Sequence, residues 1–343
     1  MYPKDPKFIV AILEDHSNGD DPHKVENVLC VINVEKPDDE PKPIVNTDPT
    51  LDLYGPPAFS PKGTHIAWQH WICKKMPWDE AKIYIAEIKI VSSSFTLDGV
   101  RTVPFDSQGV PEVSLAYPNW SNDNTLLFTS DVSGFINPWK YVVSDKSSSA
   151  VFSEKVDKDF GYPMWSLHFF PFAVLDEKLA LFIGTEDGHD SLYSVNLVAP
   201  GLPKKMETGC VVIDGLRRLE NRKVVFAGTK VDEETKLVYY PVDVSHSASA
   251  TDLESANSEK DWISTPIPSA IKGNDGDVYV VHYKPKNPNY SGPSDKKPPC
   301  IVHVHGGPEW LQPQGLDWTK QYFTSRGWAW YLSLFPYRLY RTN

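Results

Sequence analysis

The residues most suited to chemistry lie near the end of the chain, in the stretch CIVHVHGGPEW from Cys300 to Trp310. An apolar run typical of a strand leads there into Gly306-Gly307-Pro308. Glycine after a strand lets the backbone turn sharply and lets a ligand approach without a Cβ in the way. Acyl transfer requires preorganised N–H donors for an oxyanion, and such a turn can supply them. The alternative is an ordinary turn from a strand into a loop.

Two histidines beside this turn raise the question of a metal. His303 and His305 flank Val304, so strand geometry places both on one face. A zinc site needs a further ligand of suitable placement, which the sequence does not offer. We therefore expect no metal site and expect His305 to pack beside the turn. We also expect no cofactor, since the chain has no glycine-rich phosphate-binding loop.

The elements that must position the turn are mostly β-strands. Short β-type runs, separated by Gly, Pro, Asn and Asp, dominate the first 245 residues and indicate an all-β array. The clearest runs are FIVAIL (8–13), VLCVINV (28–34), HIAWQHW (65–71), KIYIAEIKIV (82–91), TLLFTS (125–130), KLALFIG (178–184), KVVFAG (223–228) and LVYYPVDV (237–244). Repeated four-stranded units of this kind form a β-propeller, with roughly five blades at about 45–50 residues each. A pair of β-sandwiches is the alternative architecture.

Two elements recur within this array. FTSDVSGFINPWKYVV from Phe128 and FIGTEDGHDSLYSVNL from Phe182 match at an offset of 54 residues, and each is typical of a strand, a turn with glycine and a second strand. Because of this match, EDGHD (186–190) is interpreted as a hairpin turn, with a calcium loop as the alternative. PAFSPKGTHIAW (57–68), YPNWSNDNTLLF (117–128) and YPMWSLHFF (162–170) each place an aromatic residue before a serine.

The recurring side chains are interpreted as structural. Ser60, Ser121 and Ser166 recur with the second element, so we expect them to support the fold and not to act as nucleophiles. The larger aromatic side chains are expected to fill the core of the blades, with a ligand groove as the alternative; they are Trp68, Trp71, Trp78, Trp120 and Trp165.

A polar stretch rich in serine and acidic residues separates this array from the rest of the chain. We predict β-propeller blades over residues 1–245, a linker or loop over 246–261 and a second domain over 262–343. The second domain is predicted to contain strands 262–271, 277–285 and 300–305, with a proline-rich loop between the last two. A helix is expected from about Asp317 to Ser325, ended by Gly327 and followed by another strand. The nearly all-apolar run CIVHV suits the interior of an α/β sheet.

The bulk composition excludes several classes of function. The formal net charge is −11, which argues against nucleic acid or an anionic membrane surface as a partner. The four cysteines lie far apart without a C-x-x-C pair, so neither a zinc knuckle nor a dense disulfide framework is predicted. With no signal-peptide pattern and no uninterrupted apolar span, we expect a cytoplasmic protein.

The sequence resembles the prolyl oligopeptidase family of serine peptidases, in its branch of dipeptidyl peptidases and acylaminoacyl-peptidases. The resembling residues are PAFSPKGTHIAWQHW and MPWDEAKIYIAEI in the array, and YKPKNPNY, PPCIVHVHGGP and YFTSRGWAW near the end. The resemblance implies a mainly β chain, in which a partial β-propeller is followed by the N-terminal part of an α/β-hydrolase domain. It implies that the N–H groups of Gly307 and Gly306 contribute to an oxyanion hole, with His305 and Pro308 supporting the turn. It also implies short peptides as substrates.

The chain departs from this family where the catalytic triad is expected. A serine follows a glycine by two positions only at Gly292-Pro293-Ser294, where Lys296 replaces the last glycine of the G-x-S-x-G pattern, and no histidine follows His305. The tail after Trp330 lacks the glycine-rich segment of the family. We therefore expect an inactive fragment of a peptidase, through a gene-model error or a biological truncation, with further blades expected before Met1. The alternative function is a non-catalytic β-propeller that binds a partner. The sequence specifies neither the preferred residue at the cleavage site nor the oligomeric state.

Overall fold

The computed structural model of the chain describes residues 1–21, 24–45, 52–92, 94–162, 169–220, 222–242, 260–273, 276–304, 306 and 312–334. The chain forms two compact units, residues 1–182 with 194–204, and residues 183–193 with 205–343. No helix among the described residues is long and apolar enough to cross a bilayer. Most of the predicted linker, 246–261, lies outside the described residues, so the predicted domain boundaries stay a prediction.

Five sheets built from sequentially close strands occupy the described part of residues 1–242, and their paired strands run antiparallel. The first holds β1 (Phe8–Asp15), β2 (Glu26–Asn33) and β3 (Lys42–Pro43). The second holds β4 (Asp52–Tyr54), β5 (Ala58–Phe59), β6 (His65–Ile72), β7 (Lys82–Val91) and β8 (Ser94–Thr102). The third holds β9 (Leu115–Asn122), β10 (Thr125–Ser130), β11 (Asn137–Val142) and β12 (Ser147–Ala150).

The remaining two sheets of this group follow the same plan. The fourth holds β13 (Phe172–Asp176), β14 (Leu179–Glu186), β15 (His189–Asn196) and β16 (Lys204–Met206). The fifth holds β17 (Val212–Leu219), β18 (Lys223–Thr229) and β19 (Lys236–Pro241). The mainly β prediction is therefore confirmed, and five sheets agree with the expected number of about five blades.

Two apolar cores are seen among the described residues of the first unit. One joins the first two sheets through the buried side chains of Phe8, Leu29, Ile66, Trp68 and Phe95. The other joins the second and third sheets; among its members are Ile83, Ile85, Trp120, Leu126, Phe128 and Tyr141. Alternation of side chains along each strand produces these two layers, because Trp68 and Ala67 on β6 face opposite sides of the sheet.

The two predicted hairpins are confirmed with different turns. The β14–β15 turn is only Asp187-Gly188, and both residues have positive φ, 51° and 77°. This conformation suits a two-residue hairpin, so EDGHD is a turn as predicted. The β10–β11 loop is longer, spanning residues 131–136. Phe128 and Phe182, which the 54-residue offset aligned, are both fully buried.

The last sheet lies in the second unit and is mixed. It holds β20 (Ile267–Gly273), β21 (Gly276–Tyr283), β22 (Cys300–His303) and β23 (Ala329–Leu334), in the order β20-β21-β23-β22. β22 and β23 run parallel, and the connection between them carries the helix α1 (Trp318–Thr324). Its apolar core is made of Val281, Tyr283, Trp330 and Leu332, with Ile301 and Phe323 packed against it.

The predicted strand 262–271 is wrong in its first half. A short 3-10 helix covers Lys260–Trp262, and β20 begins only at Ile267. The Gln321 side chain explains the difference, because it accepts from the Ser264 N–H at 2.7 Å and donates to the Ser264 carbonyl at 3.0 Å. The Gln321 side chain of α1 thus makes the hydrogen bonds to the Ser264 backbone that a neighbouring strand would otherwise make.

Candidate oxyanion turn and its surroundings

The candidate site is built on β22, which runs parallel to β23 at one edge of the mixed sheet. Its register pairs Cys300 with Ala329 and His303 with Leu332. β22 is the third strand of this sheet in chain order, and α1 is the first α-helix after it. The loop between them carries the four predicted site residues. This is the place where an α/β-hydrolase supplies an oxyanion-hole N–H from its third strand-to-helix loop.

Of the four predicted residues, only Gly306 is described. It lies in an exposed bend two residues after Val304, and a Cβ built on it would meet no atom within 4 Å. A side chain at this position would therefore meet no steric obstacle. His305, Gly307 and Pro308 lie outside the described residues, so their predicted roles are untested.

Of the two histidines predicted to lie on one face, only His303 is among the described residues. The His303 ring meets the Trp330 ring edge-on, with centroids 5.9 Å apart. Its partner His305 lies outside the described residues. In the described ranges, no three His, Cys, Asp or Glu side chains are placed to hold a metal ion.

An open groove of about 510 Å³ runs along β22. Its walls are residues 301–303 of β22, the following Val304, and Asp317, Thr319 and Trp330. Val302 and Val304 are exposed, at 64% and 59%. The groove therefore combines apolar side chains with the start of α1.

Asp317 caps the N-terminus of α1 with its side chain. Its Oδ1 accepts from the N–H groups of Thr319 at 2.8 Å and Lys320 at 3.3 Å. These bonds satisfy helix N–H groups that have no partner within the helix, as an N-cap does. The predicted helix from about Asp317 to Ser325 is confirmed by this cap, by Ser325 as the C-cap residue and by Gly327 with φ +89°.

A buried lysine under the helix is the feature that the sequence did not reveal. The Lys320 side chain is only 4% exposed, and its Nζ lies 3.4 Å from Asp317 Oδ2 and donates to the Pro313 carbonyl at 3.2 Å. It also lies 5.5 Å from the centre of the Tyr283 ring. Burial lowers the pKa of Lys320, and the nearby Asp317 opposes that shift. Lysine is so rarely buried that helical periodicity gave no reason to expect it.

Two polar atoms in the core beneath the helix have no hydrogen-bond partner in the described part of the chain. They are the Tyr283 hydroxyl and Trp330 Nε1. Burial, and then the charge of Asp317, raise the pKa of Tyr283, so its hydroxyl stays protonated. Both atoms belong to residues of the apolar core that supports the sheet.

The serines of the repeated element are structural where they are described. Ser60 is fully buried and donates to Asp123 Oδ1 at 2.8 Å. Ser121 is buried and donates to the Thr125 carbonyl at 3.3 Å. Ser166 lies outside the described residues. Among the tryptophans, Trp68 and Trp120 are buried core residues as predicted, Trp71 and Trp78 are half-buried, and Trp165 is not described.

Comparison with known proteins identifies the fold. No protein-family model and no curated protein matches the chain. A solved structure of a puromycin hydrolase mutant complexed with PGG superposes with a TM-score of 0.82 at 20% identity, covering 95% of this chain and 48% of the other. A Mycobacterium tuberculosis puromycin-hydrolyzing peptidase gives 0.76 at 23% identity, covering 90% and 46%.

A third similar structure is prolyl oligopeptidase B from Galerina marginata, bound to a 35mer hydrolysis and macrocyclization substrate. Its TM-score is 0.68 at 12% identity, covering 97% of this chain and 44% of the other. The chain therefore shares its fold with part of these solved peptidase structures. The predicted resemblance to the prolyl oligopeptidase family is confirmed as a likeness of fold. The chain spans about half the length of these solved structures.

Proposed function

We propose that this chain carries the oxyanion-binding and substrate-binding part of a serine peptidase that hydrolyses short peptides. The parent activity would be of the dipeptidyl-peptidase or acylaminoacyl-peptidase type and would pass through an acyl-enzyme. The observation that supports this most is the position of the His-Gly-Gly-Pro turn, in the loop between the third strand of a mixed sheet and its first helix. The similarity of fold to peptidases adds to that support.

Each residue of the turn has a proposed role. The N–H groups of Gly307 and Gly306 would stabilise the oxyanion that forms when a peptide carbonyl is attacked. His305 and Pro308 would hold the turn in shape. In this proposal residues 1–245 are the propeller, 246–261 the linker and 262–343 the first part of an α/β-hydrolase domain, without a cofactor.

The 343-residue chain is proposed to be inactive when it stands alone. It contains no G-x-S-x-G elbow and no histidine after His305, so the nucleophile and the base would have to come from elsewhere. The net charge of −11 supports a peptide partner over nucleic acid or an anionic membrane, and we propose a cytoplasmic location.

The test is an immunoprecipitation from the source cells with an antibody raised against the 343-residue chain. We expect a species heavier than 38.7 kDa that contains peptides of this chain, reacts with a fluorophosphonate and cleaves dipeptidyl or N-acyl-aminoacyl amides. The recombinant 343-residue chain, assayed in parallel, should do neither. A cellular species of 38.7 kDa without activity would refute the peptidase proposal.

A non-catalytic binding module is the second candidate. It is favoured by the two apolar cores described in the first unit, whose buried members all lie between residues 2 and 141. The same immunoprecipitation separates the two proposals, because an inactive 38.7 kDa species would support this one.

A further inference from the structure

An exposed surface of the second unit combines aromatic rings with positive charge, and the proposed oxyanion chemistry leaves it unused. Lys286 and Tyr290 contribute from the loop after β21, and Tyr322 contributes from α1. Arg326 and Trp328 contribute from the turn between α1 and β23. All five residues are exposed, and together they are called the aromatic-basic patch.

Hydrogen bonds hold the two segments of the patch beside each other. The Lys286 N–H donates to the Thr324 carbonyl at 3.0 Å. The Asn287 amide nitrogen donates at 2.8 Å to the carbonyl of Ser325, the C-cap residue of α1. The loop after β21 is therefore fixed against the C-terminal end of the helix, so that the two segments form one surface.

A preformed turn presents the ring of Tyr290. Asn287 Oδ1 accepts from the N–H groups of Asn289 at 2.9 Å and Tyr290 at 3.2 Å, and Pro288 restricts the backbone within the same turn. Tyr290 is 79% exposed, the highest value among the large apolar side chains of the described residues. Because the turn is already closed, covering this ring costs less conformational entropy than ordering a flexible loop.

The two cations of the patch are not neutralised by a carboxylate in the described part of the chain. The Arg326 guanidinium lies 3.8 Å from the centre of the Tyr322 ring, and its Nη1 donates to the Tyr322 carbonyl and the Ser325 hydroxyl. The Lys286 ammonium donates to the Lys260 carbonyl at 3.3 Å. Stacking on Tyr322 holds the guanidinium in place, so its remaining N–H groups are available to an external acceptor.

The charge around the patch is opposite in sign to that of the whole chain. Residues 278–334 contain six Lys or Arg and three Asp or Glu, whereas the net charge of the chain is −11. A long polyanion such as nucleic acid would extend from the patch over acidic surface. A short acidic segment would meet the patch alone, because charges more than roughly 8 Å away are screened at physiological salt.

The residue types of the patch are those that contribute most to protein–protein binding. Trp, Tyr and Arg are enriched among the interface residues whose truncation costs the most binding energy. A guanidinium binds a carboxylate through two parallel N–H donors, and exposed rings cover apolar side chains. Three rings beside two cations therefore favour a peptide segment over a small inorganic anion.

We propose that the aromatic-basic patch binds an acidic segment of a partner protein. Carboxylates of that segment pair with Arg326 and Lys286, and its apolar side chains cover the three exposed rings. The segment is held and not cleaved, so this binding does not depend on the Gly306–Gly307 turn. The patch would attach the chain to another protein through its second unit.

The test is a fluorescence-anisotropy titration of the fluorescein-labelled peptide EEFEEFEE with the full 343-residue chain. We expect saturable binding that weakens at least about threefold between about 50 and 200 mM NaCl. Arg326→Gln should bind at least about fivefold more weakly, because the charge-assisted pair is lost. Tyr290→Ser should bind at least about threefold more weakly. Its urea unfolding curve should match that of the wild type, since the ring it removes is exposed.

The matched control is Lys272→Gln, which removes the same charge elsewhere in the mixed sheet. Lys272 lies on β20, where its exposed ammonium pairs with Asp277 at 2.8 Å, outside the patch. This variant should bind the peptide as the wild type does. The equally labelled peptide KKFKKFKK and a labelled ten-nucleotide oligothymidylate should both bind at least about fivefold more weakly than EEFEEFEE.

Each of four results would overturn the assignment. The first is a titration of EEFEEFEE that shows no saturable binding. The second is wild-type affinity in Arg326→Gln or in Tyr290→Ser, which would place the binding elsewhere. The third is an equal loss of affinity in Lys272→Gln and Arg326→Gln, which would make the effect one of overall charge. The fourth is tighter binding of the oligothymidylate, which would make the patch a nucleic-acid surface.

Discussion

The hydroxyl of Ser60 donates to the carboxylate of Asp123 at 2.8 Å, although 63 residues separate them in the chain. The same Oδ1 accepts from the Lys62 N–H at 2.9 Å and from the Thr64 hydroxyl at 3.1 Å. One carboxylate oxygen thus joins the turn before β6 to the turn between β9 and β10. For Ser60, the first of the recurring serines, this contact is the structural role.

Removal of this carboxylate should weaken the first unit. Asp123→Ala leaves Ser60, Thr64 and the Lys62 N–H without their shared acceptor, so we expect the free energy of unfolding to fall by about 2 kcal/mol. Urea denaturation followed by tryptophan fluorescence measures the change. Asp145→Ala is the control, because Asp145 is exposed and its one hydrogen bond in the described part of the chain is a local bond from Ser144. This variant should change stability by less than about 0.5 kcal/mol.

The pH dependence of stability should depend on the same carboxylate. Partial burial disfavours its charge, but hydrogen bonds from Ser60, Lys62 and Thr64 outweigh burial and lower the pKa of Asp123. Because its pKa is lower in the folded state than in the unfolded state, the ionised carboxylate contributes to the free energy of unfolding. This contribution is fully present above the unfolded pKa of about 3.9 and is lost as pH falls through the folded-state pKa. The advantage of the wild type over Asp123→Asn, measured by urea denaturation between pH 7 and pH 3, should shrink in that window. A constant difference would contradict the shift.

Lys320 should prove dispensable for stability when its volume is kept. Lys320→Met removes a charge whose burial is costly, so we expect stability equal to or above that of the wild type. Lys320→Ala should lose about 2 kcal/mol, because the buried stem packs under α1. Between its lowered folded pKa and the unfolded value of about 10.4, the unfolded chain binds more protons. Wild-type stability relative to Lys320→Met should therefore rise with pH in that window, and a fall would contradict this account.

Glycine at position 306 should not be needed for folding. A Cβ on Gly306 meets no atom within 4 Å, so Gly306→Ala should leave the melting temperature nearly unchanged. The matched variant is Gly315→Ala in the same loop, whose Cβ would lie 2.6 Å from Thr229 Cγ2. Overpacking of this kind costs about 1–3 kcal/mol. Equal melting temperatures for the two variants would show that the structure around Gly315 accommodates a Cβ without cost.

The four thiols should separate into two reactivity classes. Cys73 and Cys300 are exposed, whereas Cys30 and Cys210 are buried, and burial raises the pKa of Cys30. Because the thiolate is the reacting form, we expect two thiols to react quickly with an aromatic disulfide reagent in the native protein and all four after denaturation. Four fast thiols in the native protein would contradict the described cores.

The sequence predicted strands well where apolar and polar residues alternate, and the bounds of β7 and β10 agree with the prediction at both ends. The sequence did not predict β9, because the alternation of apolar and polar residues is interrupted there by Pro118 and by Tyr117, whose backbone is in the left-handed region. The strand tolerates them because it is at the edge of its sheet and its pairing with β10 is irregular there. At the candidate site, the sequence located the turn and the helix. The burial of Lys320 depends on tertiary packing that no local pattern encodes.

The difference between locally paired and distantly paired strands has a consequence for the order in which the protein folds during synthesis. In the first five sheets each strand pairs with the next strand along the chain or with the one after that. These pairings can therefore form soon after each segment leaves the ribosome. β21 must wait for β23, whose Trp330 pairs with Tyr283, a residue 47 positions earlier. Until then the apolar faces of β21 and β22 remain exposed on the nascent chain. Limited proteolysis of ribosome-arrested chains should therefore show residues 1–242 protected before residues 267–304 are, and this late-pairing segment is where we expect a chaperone to act.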